Sequence, residues 1–143
     1  QNTERCVVSF GIADKVLLKP YAKNVLELVR ESAMFVSSSD REGISNSMLE
    51  AMAIGLPVIS TDCPAGGAKM FINPYENGII VPVGDSDALY NAMKYIIENS
   101  KQADLMARSG VAVNEILEKN KILAQWLDFL KEIQGETNGR VHD

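Results

Sequence analysis

Residues 35–61, FVSSSDREGISNSMLEAMAIGLPVIST, decide how the rest of the chain is read. An apolar run at 33–37 (AMFVS) gives way to the polar turn Ser37-Ser38-Ser39-Asp40, and Glu42-Gly43 lead into a helical stretch at 47–54. Gly55 stops that helix and Pro57 opens a second apolar run, PVIS at 57–60. Strand, helix and strand in this order imply a parallel pair joined by a right-handed crossover. Glu42 then stands at a strand C-terminus and Glu50 on the following helix. Met48, Leu49, Ala51 and Met52 are assigned to the core.

Working outward, residues 16–18 form a brief candidate strand before a helical stretch at 22–31. Residues 78–81 (GIIV) form another strand, ended by Pro82. The alternation predicts an α/β fold with a parallel sheet covered by helices on both faces and a ligand crevice beyond the strand C-termini. After Gly84 only helices are expected. Asp85 or Ser86 can cap one whose stripe is Ala88, Leu89, Ala92, Met93, Ile96 and Ile97, and Ser100 can begin the next. A last helical run carries Ile122, Trp126, Phe129, Leu130 and Ile133 on one face, with Gly135 as its stop. The expected organisation is one domain over 1–134 and a loose polar tail over 135–143.

The composition bounds the chemistry. With 143 residues, 46% of them hydrophobic, the chain can bury a core, and its formal charge of −5 disfavours a broad nucleic-acid surface. The single histidine, His142, lies in the polar tail, which excludes a histidine-centred triad or a multi-histidine metal site within these residues. Cys6 and Cys63 match no disulfide or metal framework, so inert thiols in a reducing, cytoplasmic setting are the default. No apolar run approaches the roughly 18 residues of a membrane span, and the polar start QNTER is unlike a signal peptide. The chain begins with Gln rather than Met, and it is expected to be a piece of something longer.

The helix start near Asn46 offers free N–H groups and a positive dipole end to the crevice, a setting suited to phosphate. Glu42 and Glu50 are separated by about 12 Å at helical rise, close to the span between polyol groups flanking a diphosphate. A carboxylate accepts adjacent hydroxyls well, which suits Glu42 to sugar hydroxyls and Glu50 to ribose hydroxyls, while Gly43 lets the backbone pass close. A plainer alternative stands beside this. Ser47 and Glu50 can form a capping box, and Glu42 can pair with Arg41 in solvent. Spacing alone favours that plainer reading.

The run EGISNSMLEAMAIGLPVIST resembles the signature of the large retaining family of nucleotide-sugar glycosyltransferases with the GT-B fold. The likeness extends to 16–19, Thr61-Asp62, Gly66, Asn77-Gly78 and 81–85, and covers roughly residues 10–130. This implies the C-terminal part of a Rossmann-like donor-binding domain, with flanking and C-terminal helices. By resemblance, Glu42 is the catalytic-site residue meeting the donor sugar and Glu50 meets the ribose. Gly43 and the amides of Ile44, Ser45 and Asn46 meet the sugar and diphosphate. Gly66 and Gly67 fall in the family's glycine-containing loop, a tight turn being the alternative; Tyr21 would stack on the base. Lys69 stands where the family often has Glu, and is read as a solvated surface residue.

The resemblance also says what these residues lack: two preceding strand–helix units, with the Arg and Lys that neutralise the diphosphate, and the acceptor-binding N-terminal domain. In the order 3-2-1-4-5-6 the strand near Val16 would be third and those near Phe35, Val58 and Ile80 fourth to sixth. The implied function is transfer from a UDP-, GDP- or ADP-sugar, without cofactor or metal, to an acceptor sugar or lipid-linked sugar held by the absent domain. The full-length enzyme would be cytoplasmic or peripheral to a membrane. Alternatives are an epimerase or phosphorylase of the same fold, or a non-catalytic nucleotide-sugar-binding module. Unpaired strand edges are expected to favour self-association.

Overall fold

The structure, a computed structural model, describes the backbone of residues 2–139 and the side chains of 3–134. Three parallel strands, β1 (Phe35–Ser37), β2 (Val58–Thr61) and β3 (Ile79–Val81), lie in the order β1-β2-β3. Phe35 pairs with Val58 and Ile59 with Ile79. The adjacency is that of the fourth to sixth strands in the Rossmann-like order.

The central strand β2 is buried throughout, and its alternation sorts the core into two layers. Val58 faces Met48, Ala51 and Met52 of α3 (Asn46–Ala53), together with Leu56, Ile72 and Val113. Ile59 faces the opposite layer with Ile79, Val81, Ala92, Ile96, Ala103 and Met106. This second layer comes from α4 (Ser86–Glu98) and α5 (Ser100–Gly110), while the short α6 (Val113–Ile116) joins α3 on the first face. Burying each such Met, Ile or Val side chain contributes about 1.5–3 kcal/mol.

Local chemistry sets the helix ends. Gly55, at φ +78°, turns the chain out of α3, with its N–H donating to Met52 O at 3.0 Å and Leu56 N–H donating to Ala51 O at 3.0 Å. The latter bond delivers Leu56 to the core beside β2. Asp85 caps α4, its carboxylate accepting from Ala88 N–H at 2.8 Å.

Several expectations are corrected. Residues 16–18 form no strand, and Leu17 is 76% exposed. In the Rossmann-like order their partner would be the second strand, which is not among these residues, and a single strand has no ladder to join. The N-terminal residues instead open with α1 (Asn2–Ser9), and the helix expected at 22–31 is reduced to α2 (Val25–Val29), which has no buried residue. Ile97 leaves the α4 stripe and is exposed, because its added rotation carries it off the face of Ala92 and Ile96.

The last helix, α7 (Lys119–Gly139), runs past Gly135, since one interior glycine costs only about 1 kcal/mol relative to alanine. Its apolar face, including Trp126, Phe129 and Leu130, is about half exposed. Part of the proposed tail is therefore helical; His142 and the other residues after 139 lie outside the described residues.

Candidate functional site

The site is assembled from the loops at the C-terminal ends of β1 and β2, where parallel strands leave an opening between crossovers. Ser39, in the turn after β1, ties these ends together. Its carbonyl accepts from Thr61 Oγ1 at 2.6 Å and from Cys63 Sγ at 3.1 Å, and its hydroxyl donates to Glu42 Oε2 at 3.1 Å. Glu42 is thus half-buried and held by Ser39, rather than paired with Arg41 in solvent. Its remaining lone pairs are available to hydroxyl donors.

Helix α3 begins where the sequence places it. Ser45 is buried at 5% exposure and caps it, the hydroxyl accepting from Met48 N–H at 3.4 Å and the carbonyl from Leu49 N–H at 3.1 Å. The capping box between Ser47 and Glu50 does not form; Ser47 Oγ instead meets Ser45 Oγ at 3.0 Å. Among the described residues no acceptor takes the backbone N–H groups of Ile44, Ser45, Asn46 or Ser47. The start of α3 thus keeps unpaired donors at the positive end of its dipole, directly after Gly43, which lines the cavity described next.

The two glutamates line separate cavities. Arg41, Glu42, Gly43, Pro64 and Ala65 surround one of about 560 Å³. Exposed Glu50 closes another of about 580 Å³, whose other lining residues come from 21–27, including Tyr21, Lys23 and Asn24. The single crevice expected from sequence is thus divided, with the start of α3 falling between Glu42 and Glu50 in the chain. Tyr21 is 91% exposed on the Glu50 side, and Ile44 is 48% exposed.

Gly66 and Gly67 play separate backbone roles. Gly66 sits at φ +72° in a turn closed by its N–H donating to Cys63 O at 2.9 Å. Gly67 is buried against the Gly43–Ile44 peptide, where a Cβ would collide with the Gly43 carbonyl oxygen. Lys69 is exposed, as expected, and its Nζ pairs with Asp62 Oδ2 at 2.7 Å. Sequence reasoning missed Ser39 and left Arg41 out of the site; the spacing from Ser39 to Glu42 was the available signal, and nothing local marks Pro64 and Ala65 as the facing wall.

Residues 1–99 match the family model described as glycosyl transferases group 1. The chain belongs to the group 1 glycosyltransferases. Among relatives of this group 1 chain is a lipopolysaccharide core biosynthesis glycosyltransferase of Rhizobium meliloti, 27% identical over 76% of this chain and 32% of the relative. A GDP-mannose-dependent alpha-mannosyltransferase of Mycobacterium tuberculosis is 34% identical over 64% of this chain and 24% of the relative. The Anabaena HepE structure in complex with UDP superposes with a TM-score of 0.85 at 21% identity, covering 92% of this chain and 36% of that one. These likenesses establish a GT-B type fold, and the chain spans about a third of the first relative's length. Among the described residues of this group 1 chain, no helix is long and apolar enough to cross a membrane.

Proposed function

We propose that this group 1 chain is the C-terminal part of the donor-binding domain of a retaining glycosyltransferase that uses a nucleotide-diphosphate sugar. The observation that carries the reading is the Ser45-capped start of α3. Its open N–H groups fall in the chain between Glu42, which lines one cavity, and Glu50, which lines the other, after the C-terminal end of β1. Relatives named for lipopolysaccharide core synthesis and for GDP-mannose, and a neighbour in complex with UDP, support a nucleotide-sugar donor and a role in glycan assembly.

In this reading Glu50 takes the ribose hydroxyls, Tyr21 stacks on the base, and the amides of Ile44, Ser45 and Asn46 take the diphosphate and sugar. Glu42 orients the donor sugar, with Gly43 allowing its close approach. Gly67, with the Gly66 turn beside it, backs the Gly43–Ile44 peptide. Electrostatic stabilisation of the departing nucleoside diphosphate carries much of the catalysis. The departing phosphate assists deprotonation of an acceptor hydroxyl, so no enzyme nucleophile or metal is required. The acceptor is a sugar or lipid-linked sugar held by another domain. The test is a transfer assay on the intact protein with UDP-, GDP- and ADP-sugars, reading the product's anomeric configuration by NMR. Retained configuration is expected; inversion, or no transfer from any nucleotide sugar, would refute the proposal.

A further inference from the structure

Arg41 and Glu42 are neighbours of opposite charge on one cavity, yet they form no ion pair. Glu42 is held by Ser39, and the Arg41 guanidinium has no hydrogen-bond or ion-pair partner among the described residues. Lys69, the cation in the loop after β2, is taken up by Asp62. The cavity therefore presents a fixed hydroxyl acceptor and, beside it, an uncommitted planar cation. A guanidinium fork matches the two oxygens of a carboxylate or phosphate.

Resting on the donor-site reading above, we propose that Arg41 recognises an oxyanion, carboxylate or phosphate, on the ligand whose hydroxyls Glu42 takes up. A ligand bearing hydroxyls alone would leave Arg41 unused. An anionic ligand would meet only the Glu42 charge in this cavity once Arg41 is removed.

The test uses the intact protein and probes that need no nucleobase: glucose, glucuronate and inorganic pyrophosphate, titrated while the amide resonances of Gly43 and Ile44 are followed. At least one oxyanion probe should bind about tenfold or more tightly than glucose, the scale of a charged hydrogen bond. Arg41→Gln should abolish that preference, and Arg41→Lys should keep part of it, since the charge remains and the fork is lost. Preference for glucuronate assigns the oxyanion to the sugar; preference for pyrophosphate assigns it to the donor diphosphate. Oxyanion probes that bind no better than glucose, or a preference unchanged by Arg41→Gln, would overturn the assignment. Absence of UDP and GDP binding with the Arg41-dependent preference intact would sink the donor-site reading alone.

Discussion

Gly67 lies flat against the peptide that follows Gly43. A methyl group at Gly67 would come 2.5 Å from the Gly43 carbonyl carbon and 2.8 Å from Ile44 N. The loop after β2 and the loop after β1 are therefore packed backbone to backbone, beside the cavity that Glu42 lines. The partner atoms belong to the main chain, so no rotamer change can relieve the collision.

Gly67→Ala should consequently destabilise the protein by about 1–3 kcal/mol, the usual range for overpacking. Gly43→Ala should be much milder, because a Cβ there has nothing within 4 Å. Chemical denaturation of both variants checks this. Equal stabilities would contradict the packing described.

The glutamates should separate in binding. Glu50→Ala is expected to weaken nucleoside diphosphate and donor alike, whereas Glu42→Ala should impair the sugar-dependent step and leave nucleoside diphosphate affinity near normal. Each loss is on the order of 1.5–3 kcal/mol, that of charged hydrogen bonds. Calorimetry with the diphosphate and with the donor distinguishes them; parallel losses in both variants would argue against the assigned roles.

Helix α7 should show a pH dependence through Glu118. Glu118 accepts from Asn120 N–H at 3.0 Å and from Lys121 N–H at 2.9 Å, and these backbone bonds hold its carboxyl below the ordinary glutamate range. The cap is then fully in place above the unfolded pKa of about 4.3 and is lost as pH falls through the lowered folded value. Protection of the first-turn amides of α7, taken relative to their intrinsic exchange rate at each pH, should fall on acidification across that window, and Glu118→Gln should remove the dependence. An identical pH profile in the variant would rule the cap out as its source.

These 143 residues, tested by themselves, should transfer no sugar. Holding donor and acceptor together between domains can be worth roughly 7–11 kcal/mol, and in the proposed reading these loops supply only the donor side. The outer edge of β1 has no strand partner among the described residues, so self-association is expected as well. A transfer assay and sedimentation of the purified chain test both. Multiple-turnover transfer would show that a complete catalytic arrangement exists within it.

Much of this protein was legible from residues 33–61 and 78–85. The start of α3, the turn at Gly55, the buried β2 and the Asp85 cap all depend on side chains within a few residues of the bonds they make, so local chemistry specifies them. Burial of Met48 and Met52 followed from helical period. Family membership followed from linked motifs along one stretch of chain, which require no coordinates to read.

What tertiary structure decided depends on segments far apart in sequence. Residues 16–18 have strand-forming side chains, but a strand is completed by its neighbour, and among the described residues these have none to pair with. Ser39 became the brace of Glu42 because the fold brings Thr61 and Cys63 to its carbonyl, across separations of 22 and 24 residues. Gly67 looked like half of an ordinary turn until β1 and β2, paired side by side, pressed its loop onto Gly43. Loop-to-loop proximity is set by strand order and register, and those are properties of the packed sheet that no single stretch of sequence contains.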